Sequence, residues 1–351
     1  MSTYKVAVLG CGGRSGAHLD AYRHIDRAKV VAVCDRHAEK VGPVAEKYGA
    51  RAYTDAATML QKEKPDLLHI VTAPRNRVGE LTLAHDCGVP AVTVEKPLAT
   101  NVLEWKQLCD LQARSKTRFA VCHQLRWQQD VVRLRHALQS GKLGKVKFLD
   151  LSAGFNIAGQ GTHILNYGMS LNGDVPVTRV FGAAGGDSEM ASIHPAPDHT
   201  EGYLTFADGV RALWVCGPTA PRCGDPAVSW QHVRIAAYAE RGRVEWQEFG
   251  RWEIVGPDKT ESGTFGDFDT WMARNILSQA GFHEAMFDWI EDDANPAGTN
   301  LKQSLHEWEV VLALYASAVW RRPVDLAGFN PPEDLFQQLA EVLRNNHHQE
   351  H

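Results

Sequence analysis

Val6 to Leu19 reads V-A-V-L-G-C-G-G-R-S-G-A-H-L: an apolar run, glycines at Gly10, Gly12, Gly13 and Gly16, then helix-forming residues. That order predicts a buried strand, a tight turn and a helix N-terminus. Gly10 permits the turn, and Gly12 has no side chain to block a pyrophosphate. The first free backbone N–H groups of the helix would then face an anion. Ser15, with Gly16 beside it, stands where such turns carry their third glycine. A glycine turn alone is weak, since any strand-to-helix turn favours glycine, so the context decides. A second apolar run, Val30 to Cys34, ends in Asp35 followed by Arg36, and a carboxylate there accepts hydrogen bonds from an adenosine ribose.

Working outward, residues 1–123 alternate short apolar runs with helical patterns, the signature of a parallel sheet covered by helices. Strands are expected at Lys5–Leu9, Val30–Cys34, Arg51–Tyr53, Leu67–Val71, Ala91–Val94 and Arg118–Cys122, with helices at Ser15–Arg27, His37–Lys47, Ala56–Lys62, Arg77–Cys87 and Val102–Ser115. The fold class is therefore α/β, an N-terminal dinucleotide-binding Rossmann domain. Ligands of such sheets bind at strand carboxyl ends, which singles out Thr72-Ala73-Pro74 and Glu95-Lys96-Pro97. Alone, the first would read as a loop and the second as a solvated charged turn. Their positions argue for walls of the cofactor site.

After Cys122 a helix at about Gln129–Gln139 gives way to strand-like runs separated by turns, with almost no helical period until Phe268–Asp292 and Asn300–Trp320. Residues 124–344 are expected to form an α+β domain with a large open, mainly antiparallel sheet, and residues 345–351 a polar tail. Eight of the ten tryptophans follow residue 200. Trp214, Trp246 and Trp252 fall in strand-like runs, so a homodimer or homotetramer covering that sheet is expected.

The net charge of −5, without a basic run, argues against nucleic acid and anionic membranes. Seven cysteines, odd in number and without a C-x-x-C pair, read as reduced packing residues. With a strand beginning near Lys5 and no run long enough to span a bilayer, a cytoplasmic protein is expected. No zinc-like ligand spacing is visible, so no metal is expected.

The glycine turn with His18, Asp35-Arg36, Thr72-Ala73-Pro74, Glu95-Lys96-Pro97, Gly141-Lys142-Leu143-Gly144-Lys145-Val146, Gly161-Thr162-His163 and the ending Arg322-Pro323-Val324 together resemble the glucose-fructose oxidoreductase/inositol dehydrogenase/MocA-like family, in the same order and over nearly the whole chain. The resemblance implies NAD(P)-dependent hydride transfer at a secondary hydroxyl of a sugar, polyol or sugar derivative. It implies a pyrophosphate site at Gly10, Gly12, Gly13, Arg14 and Ser15, and ribose contacts at Asp35 and Arg36. Lys96 would lie beside the nicotinamide and reacting carbon, His163 would transfer the proton, and Gln124 and Arg126 would lie near nicotinamide or substrate. The family often has aspartates where Gly159 and Asn166 stand, flanking His163 in a substrate-binding stretch, and Pro-Asn-x-x-His where this chain has Pro74-Arg75-Asn76-Arg77-Val78. NAD is expected over NADP because Asp35 repels a 2′-phosphate, although Arg36 can pair with one. Two other readings are a redox-neutral glycosidase or lyase that oxidises a sugar hydroxyl transiently, and a non-catalytic binding protein. Retention of Lys96 and His163 speaks against the latter.

Overall fold

The computed structural model describes residues 3–225, 228–264 and 267–347. Two compact units are present. The first gathers the chain up to Ala99, Glu104–Gln128 and Met272–Leu305; the second gathers Thr100–Leu103, Gln129–Trp271 and the chain from His306 onward.

In the first unit, β1 (Tyr4–Leu9), α1 (Ser15–Ala21), β2 (Ala28–Cys34), α2 (Ala38–Tyr48), β3 (Arg51–Tyr53), α3 (Ala56–Glu63), β4 (Leu67–Ile70), α4 (Arg77–Asp86), β5 (Ala91–Val94), α5 (Val102–Arg114) and β6 (Arg118–Val121) follow one another. All six strands are parallel, ordered β3-β2-β1-β4-β5-β6. Helices on both faces bury β4 and β5 completely, which is why these strands read as unbroken apolar runs. The order reverses between β1 and β4, opening the crevice where such sheets bind ligands. α1 is shorter than its sequence pattern, tightening at Tyr22–His24 into a 3₁₀ turn. The unit is completed from far along the chain. Phe282, Met286 and Phe287, from the long helix Phe268–Glu291, share a core with Val6 and Leu19. Tyr4 stacks on Phe287 at 4.9 Å, and Arg27 pairs with Glu284 and Asp288, both at 2.5 Å.

The second unit begins with α6 (Gln129–Gln139), β7 (Val146–Ala153) and α7 (Thr162–Leu171). β8 (Val177–Gly185), β9 (His199–Phe206), β10 (Arg211–Cys216), β11 (Val233–Ala239), β12 (Gly242–Gln247), β13 (Arg251–Val255) and β14 (Thr260–Thr264) then lead to α8, the helix from Phe268 to Glu291. α9 (Leu301–Trp320), β15 (Val324–Asp325) and α10 (Leu335–His347) close the chain. Nine strands form one sheet, ordered β14-β13-β12-β11-β7-β10-β9-β8-β15. Every pairing is antiparallel except β7 with β10.

α7 was invisible to periodicity because nine of its ten residues are buried, so no polar face alternates with an apolar one. Its backbone comes so close to β7 that a Cβ at Gly168 would lie 2.5 Å from the Leu151 side chain. Trp214, Trp246 and Trp252, expected to lie on an uncovered sheet face, are buried within the chain, and the Arg133 guanidinium sits 4.3 Å from the Trp252 ring centre. The aromatic side chains the sheet leaves exposed are instead Phe181, Tyr203 and Tyr238. α10 takes in Asn345–His347 of the expected tail; residues 348–351 lie outside the described residues.

Across β7, β11 and β12, Arg234 bonds Asp150 at 2.8 Å and Glu245 at 3.2 Å. Burial would raise the Glu245 carboxyl, but a bond from Gln247 and the charge of Arg234 outweigh it and hold it below its usual range. A carboxyl depressed in the folded state contributes stability above its unfolded value and loses it as pH falls. Arg234→Met is therefore expected to lower the unfolding free energy measured by urea titration at pH 7 by about 1 to 3 kcal/mol, and by less at pH 4. Equal losses at both pH values would show that Arg234 acts through packing alone.

Candidate functional site

At the carboxyl ends of the parallel strands, a cleft of about 460 Å³ is lined by Gly10, Gly12, Asp35, Arg36, Thr72 and Ala73. Gly10 has φ +102°, and a Cβ there would lie 2.6 Å from the Val71 carbonyl oxygen, so the turn admits glycine only. Nothing lies within 4 Å of where a Cβ would stand at Gly12 or Gly13. The protein leaves that space open, as backbone contact with a pyrophosphate needs. Ser15 is buried, and its hydroxyl donates to the Gly12 carbonyl at 2.7 Å, tying the turn to α1.

Asp35 accepts from the backbone N–H of Cys11 at 2.9 Å and of His37 at 3.0 Å. Burial would raise its carboxyl; the two backbone bonds outweigh that and hold it below its usual value. It is anionic at neutral pH beside Arg36 and Lys40, which line the same cleft. The Thr72–Pro74 wall rests on Arg77, which sequence reasoning met only as part of a departure from the family pattern. Arg77 is fully buried and donates to the Thr72 hydroxyl and carbonyl, both at 3.0 Å. The Thr72 hydroxyl donates onward to Glu80 at 2.7 Å.

Glu95 does not behave as a solvated turn residue. It is buried, receives Arg14 Nε at 2.8 Å and lies 2.9 Å from His18 Nε2. Burial opposes its charge, but Arg14 and His18 overcome that and hold the carboxyl well below the usual range. Burial keeps His18 below its ordinary value despite Glu95, so a neutral imidazole donates Nε2–H to a carboxylate. Lys96 follows, half-buried, and burial lowers its ammonium while Glu95 opposes the shift. Pro97 is joined to it by a cis peptide. Arg14 also donates to Gln279 Oε1 at 3.0 Å, and Gln124 donates to Asn275 at 3.1 Å. Arg126 is buried beside Gly298. Gln279, Asn275 and Gly298 come from a segment that carries no motif.

In the second unit a π-helical turn, Ile157–Gly161, leads into α7, capped by Asn156, whose Oδ1 accepts from Gly159 N–H at 2.8 Å. His163 is the residue of α7 that is not buried. Its Nδ1 lies 3.1 Å from the Tyr167 hydroxyl, one helical turn on. Gly159 is half-exposed, with little space around it: a Cβ would lie 3.2 Å from Asn156 Oδ1. Asn166, three residues after His163, turns away from solvent and donates to Glu307 at 2.5 Å.

Residues 4–123 match the family described as "Oxidoreductase family, NAD-binding Rossmann fold", that of glucose-fructose oxidoreductase, inositol dehydrogenase and MocA. Residues 4–123 belong to this family. It is 31% identical over 231 residues to a D-apiose dehydrogenase of Paraburkholderia graminis, covering 61% of this chain and 60% of that relative's length. To a D-apiose dehydrogenase of Rhizobium rhizogenes it is 25% identical over 355 positions, covering 93% of this chain and 98% of the relative. An oxidoreductase from Agrobacterium radiobacter, solved with NAD+, L-tartaric acid and magnesium, superposes with a TM-score of 0.79 at 19% identity, over 93% of this chain and 99% of that one, and shows a shared fold. The cofactor of this oxidoreductase family is NAD, and the cleft of the first unit fits it: a glycine turn with open space, and an ionised Asp35 at the end of β2.

Two glycine substitutions separate folding from binding. Gly10→Ala is expected to destabilise the chain by about 1 to 3 kcal/mol because of the clash with Val71. Gly12→Ala is expected to change stability by less than about 0.5 kcal/mol while weakening NAD binding about tenfold or more. Denaturant titration and fluorescence titration with NADH measure the two quantities. A Gly12→Ala protein that binds NADH normally would show that the open space is not the pyrophosphate site.

Proposed function

We propose that this chain is an NAD-dependent dehydrogenase or reductase acting at a secondary hydroxyl of a sugar, polyol or sugar derivative. The observation that carries the reading is the cluster of Arg14 and His18 around the buried Glu95 carboxylate at the carboxyl end of β5, which holds Lys96 at a strand terminus where such sheets bind ligands. The names of the D-apiose dehydrogenase relatives support a sugar-like substrate.

When bound, NAD supplies the hydride acceptor or donor. The chain's own residues supply the rest. Asp35 accepts from the adenosine ribose hydroxyls and, with Arg36, selects the nucleotide; Gly10, Gly12, Gly13, Arg14 and Ser15 form the pyrophosphate turn. Thr72, Ala73 and Pro74 form a wall, braced by Arg77. Lys96 donates a hydrogen bond to the substrate oxygen and favours the alkoxide as charge develops, and desolvation strengthens that interaction. His163 carries the hydroxyl proton, its ring oriented at Nδ1 by Tyr167. Gln124 and Arg126 orient nicotinamide or substrate, and Gly159 lies in the turn that leads to His163 in the substrate-binding stretch. Asn166, held by Glu307, fixes α7 in this scheme and does not touch the substrate.

Lys96→Ala and His163→Ala are each expected to lower kcat about a hundredfold or more and to leave NADH affinity within a few-fold. Steady-state rates of NADH formation on sugars and polyols, with affinity measured separately, provide the check. Near-full turnover in either variant would remove that residue from the mechanism. Substrate cleavage without net NADH formation would favour the redox-neutral reaction instead.

Nucleotide choice gives a separate test. With the Asp35 carboxylate held ionised by two backbone N–H groups, NAD is expected to bind about tenfold more tightly than NADP, and Asp35→Ser to narrow that gap. Tighter binding of NADP to the unsubstituted chain would mean that Arg36 and Lys40 outweigh the carboxylate.

A further inference from the structure

The end of the second sheet that carries the start of α7 also gathers aromatic side chains that no role above uses. From Ile157 to Asn166, Gly159, Gln160 and His163 reach the surface while every other residue is buried. Gln160 lies three residues before His163, on the same exposed side, and both ends of its amide are committed to backbone. Its Oε1 accepts from the Phe155 N–H at 3.1 Å, and its Nε2 donates to the Trp230 carbonyl at 2.7 Å. The 3₁₀ turn Ser229–Gln231 is thereby fastened to the turn that leads to His163. Backbone packing fixes it a second time. Gly154 donates to the His232 carbonyl at 2.7 Å, and a Cβ at Gly154 would overlap the Ser229 carbonyl oxygen.

Trp230, presented by that turn, is half-buried. Three rings beside it form a layer: Trp271 stacks on Phe249 at 5.0 Å and 28°, and on Phe268 at 5.6 Å and 26°. Trp230 stands across this layer, at 84° to Phe249 and 56° to Trp271, with ring centres 5.0 and 5.3 Å away. Among the described residues no ring lies flat on it. The two indoles also differ at their polar ends. Trp271 Nε1 donates to the buried Glu248 carboxyl at 3.2 Å, whereas Trp230 Nε1 donates to none of the described residues. An indole held by its backbone, braced by neighbouring rings and keeping a spare N–H offers a ligand one apolar face and one donor.

We propose that Trp230 is a substrate-binding residue whose indole stacks on the C–H face of a ring-form sugar brought to His163. This rests on the dehydrogenase reading above and narrows its substrates from sugars and polyols at large to closed sugar rings. One side of a pyranose or furanose is largely C–H, and the hydroxyls lie at its rim. Those hydrogens carry partial positive charge and the indole face partial negative charge, and removing both from water adds to the attraction. A rim hydroxyl accepts from the spare indole N–H. An open-chain polyol has to freeze several torsions to present such a face, a cost that a closed ring does not carry. The indole is itself held in place by Gln160 and the aromatic layer, so little freedom is lost on the protein side. Trp230 thus selects by shape, and His163 does the proton transfer.

The test is saturation-transfer NMR on the full chain with NADH, which reads contact without requiring turnover. Aromatic protein protons are irradiated in the presence of D-xylose or D-glucose, and of xylitol or D-glucitol, the open-chain polyols with the same carbon chains. Expected are transfer to the sugar C–H protons and dissociation constants for the ring sugars about fivefold or more below those of the polyols. Trp230→Ala, checked for folding by circular dichroism, should raise the ring-sugar constants about fivefold or more, and Trp230→Phe, which keeps an aromatic face, should recover most of the loss. Ring sugars that bind no better than the polyols, or that bind folded Trp230→Ala as tightly as the parent, would overturn the proposal. If Trp230→Ala does not fold, Trp230→Leu, bulky but without an aromatic face, takes its place, and the comparison of rings with polyols on the parent decides if neither folds. NADH formation from NAD on the same compounds is followed separately. Sugar contact without NADH formation removes the dehydrogenase reaction and keeps the stacking, whereas NADH formation from the polyols alone does the reverse.

Discussion

A single buried carboxylate organises the dinucleotide-binding unit. Glu95 lies at the end of β5, shielded from water, where its charge is costly unless met by donors. Arg14, from the glycine turn, and His18, one turn into α1, both reach it. The turn, the helix behind it and the end of a strand more than seventy residues later are thereby held in one arrangement. Lys96 takes its position from that arrangement. The chemistry proposed for it depends on a cluster whose members touch no substrate.

A second layer of buried polar contacts supports the first. Arg77 fastens the Thr72 loop from below, and Gln279 answers the face of Arg14 that Glu95 leaves open. In a low-dielectric interior each such group is stable only if its neighbours are in place, so the network holds its geometry cooperatively. Further inward, the Gln279 amide NH₂ donates to His18 and His283, and the Tyr22 hydroxyl lies 2.6 Å from His69 Nε2.

In the second unit, α7 is packed on nearly every side, and His163 is its one residue at the surface. A helix so enclosed has little freedom to tilt, which makes it a rigid support for one polar side chain. Tyr167, a turn further on, and the Asn156 cap before it set the ring and the helix start. Asn166 and Glu307 bond on the buried side of the same helix, where an apolar pair would have left its rotation less defined.

The glycine turn, the carboxylate after the second strand and the alternation of apolar runs with helical patterns were legible in the sequence because each is local. A positive φ at Gly10 or a strand buried on both faces is imposed by adjacent residues, and adjacent residues record it. α7 was not legible, since a helix buried all round loses the amphipathic period that announces it. Arg77, Gln279 and the grouping of His18, His69 and His283 were not legible either. Nothing in their spacing marks them, for α8 joins the first unit only after eight of the second sheet's nine strands have passed along the chain. Local sterics and periodicity set which elements form. Which buried polar groups meet depends on contacts between distant segments, and only the tertiary structure decided those.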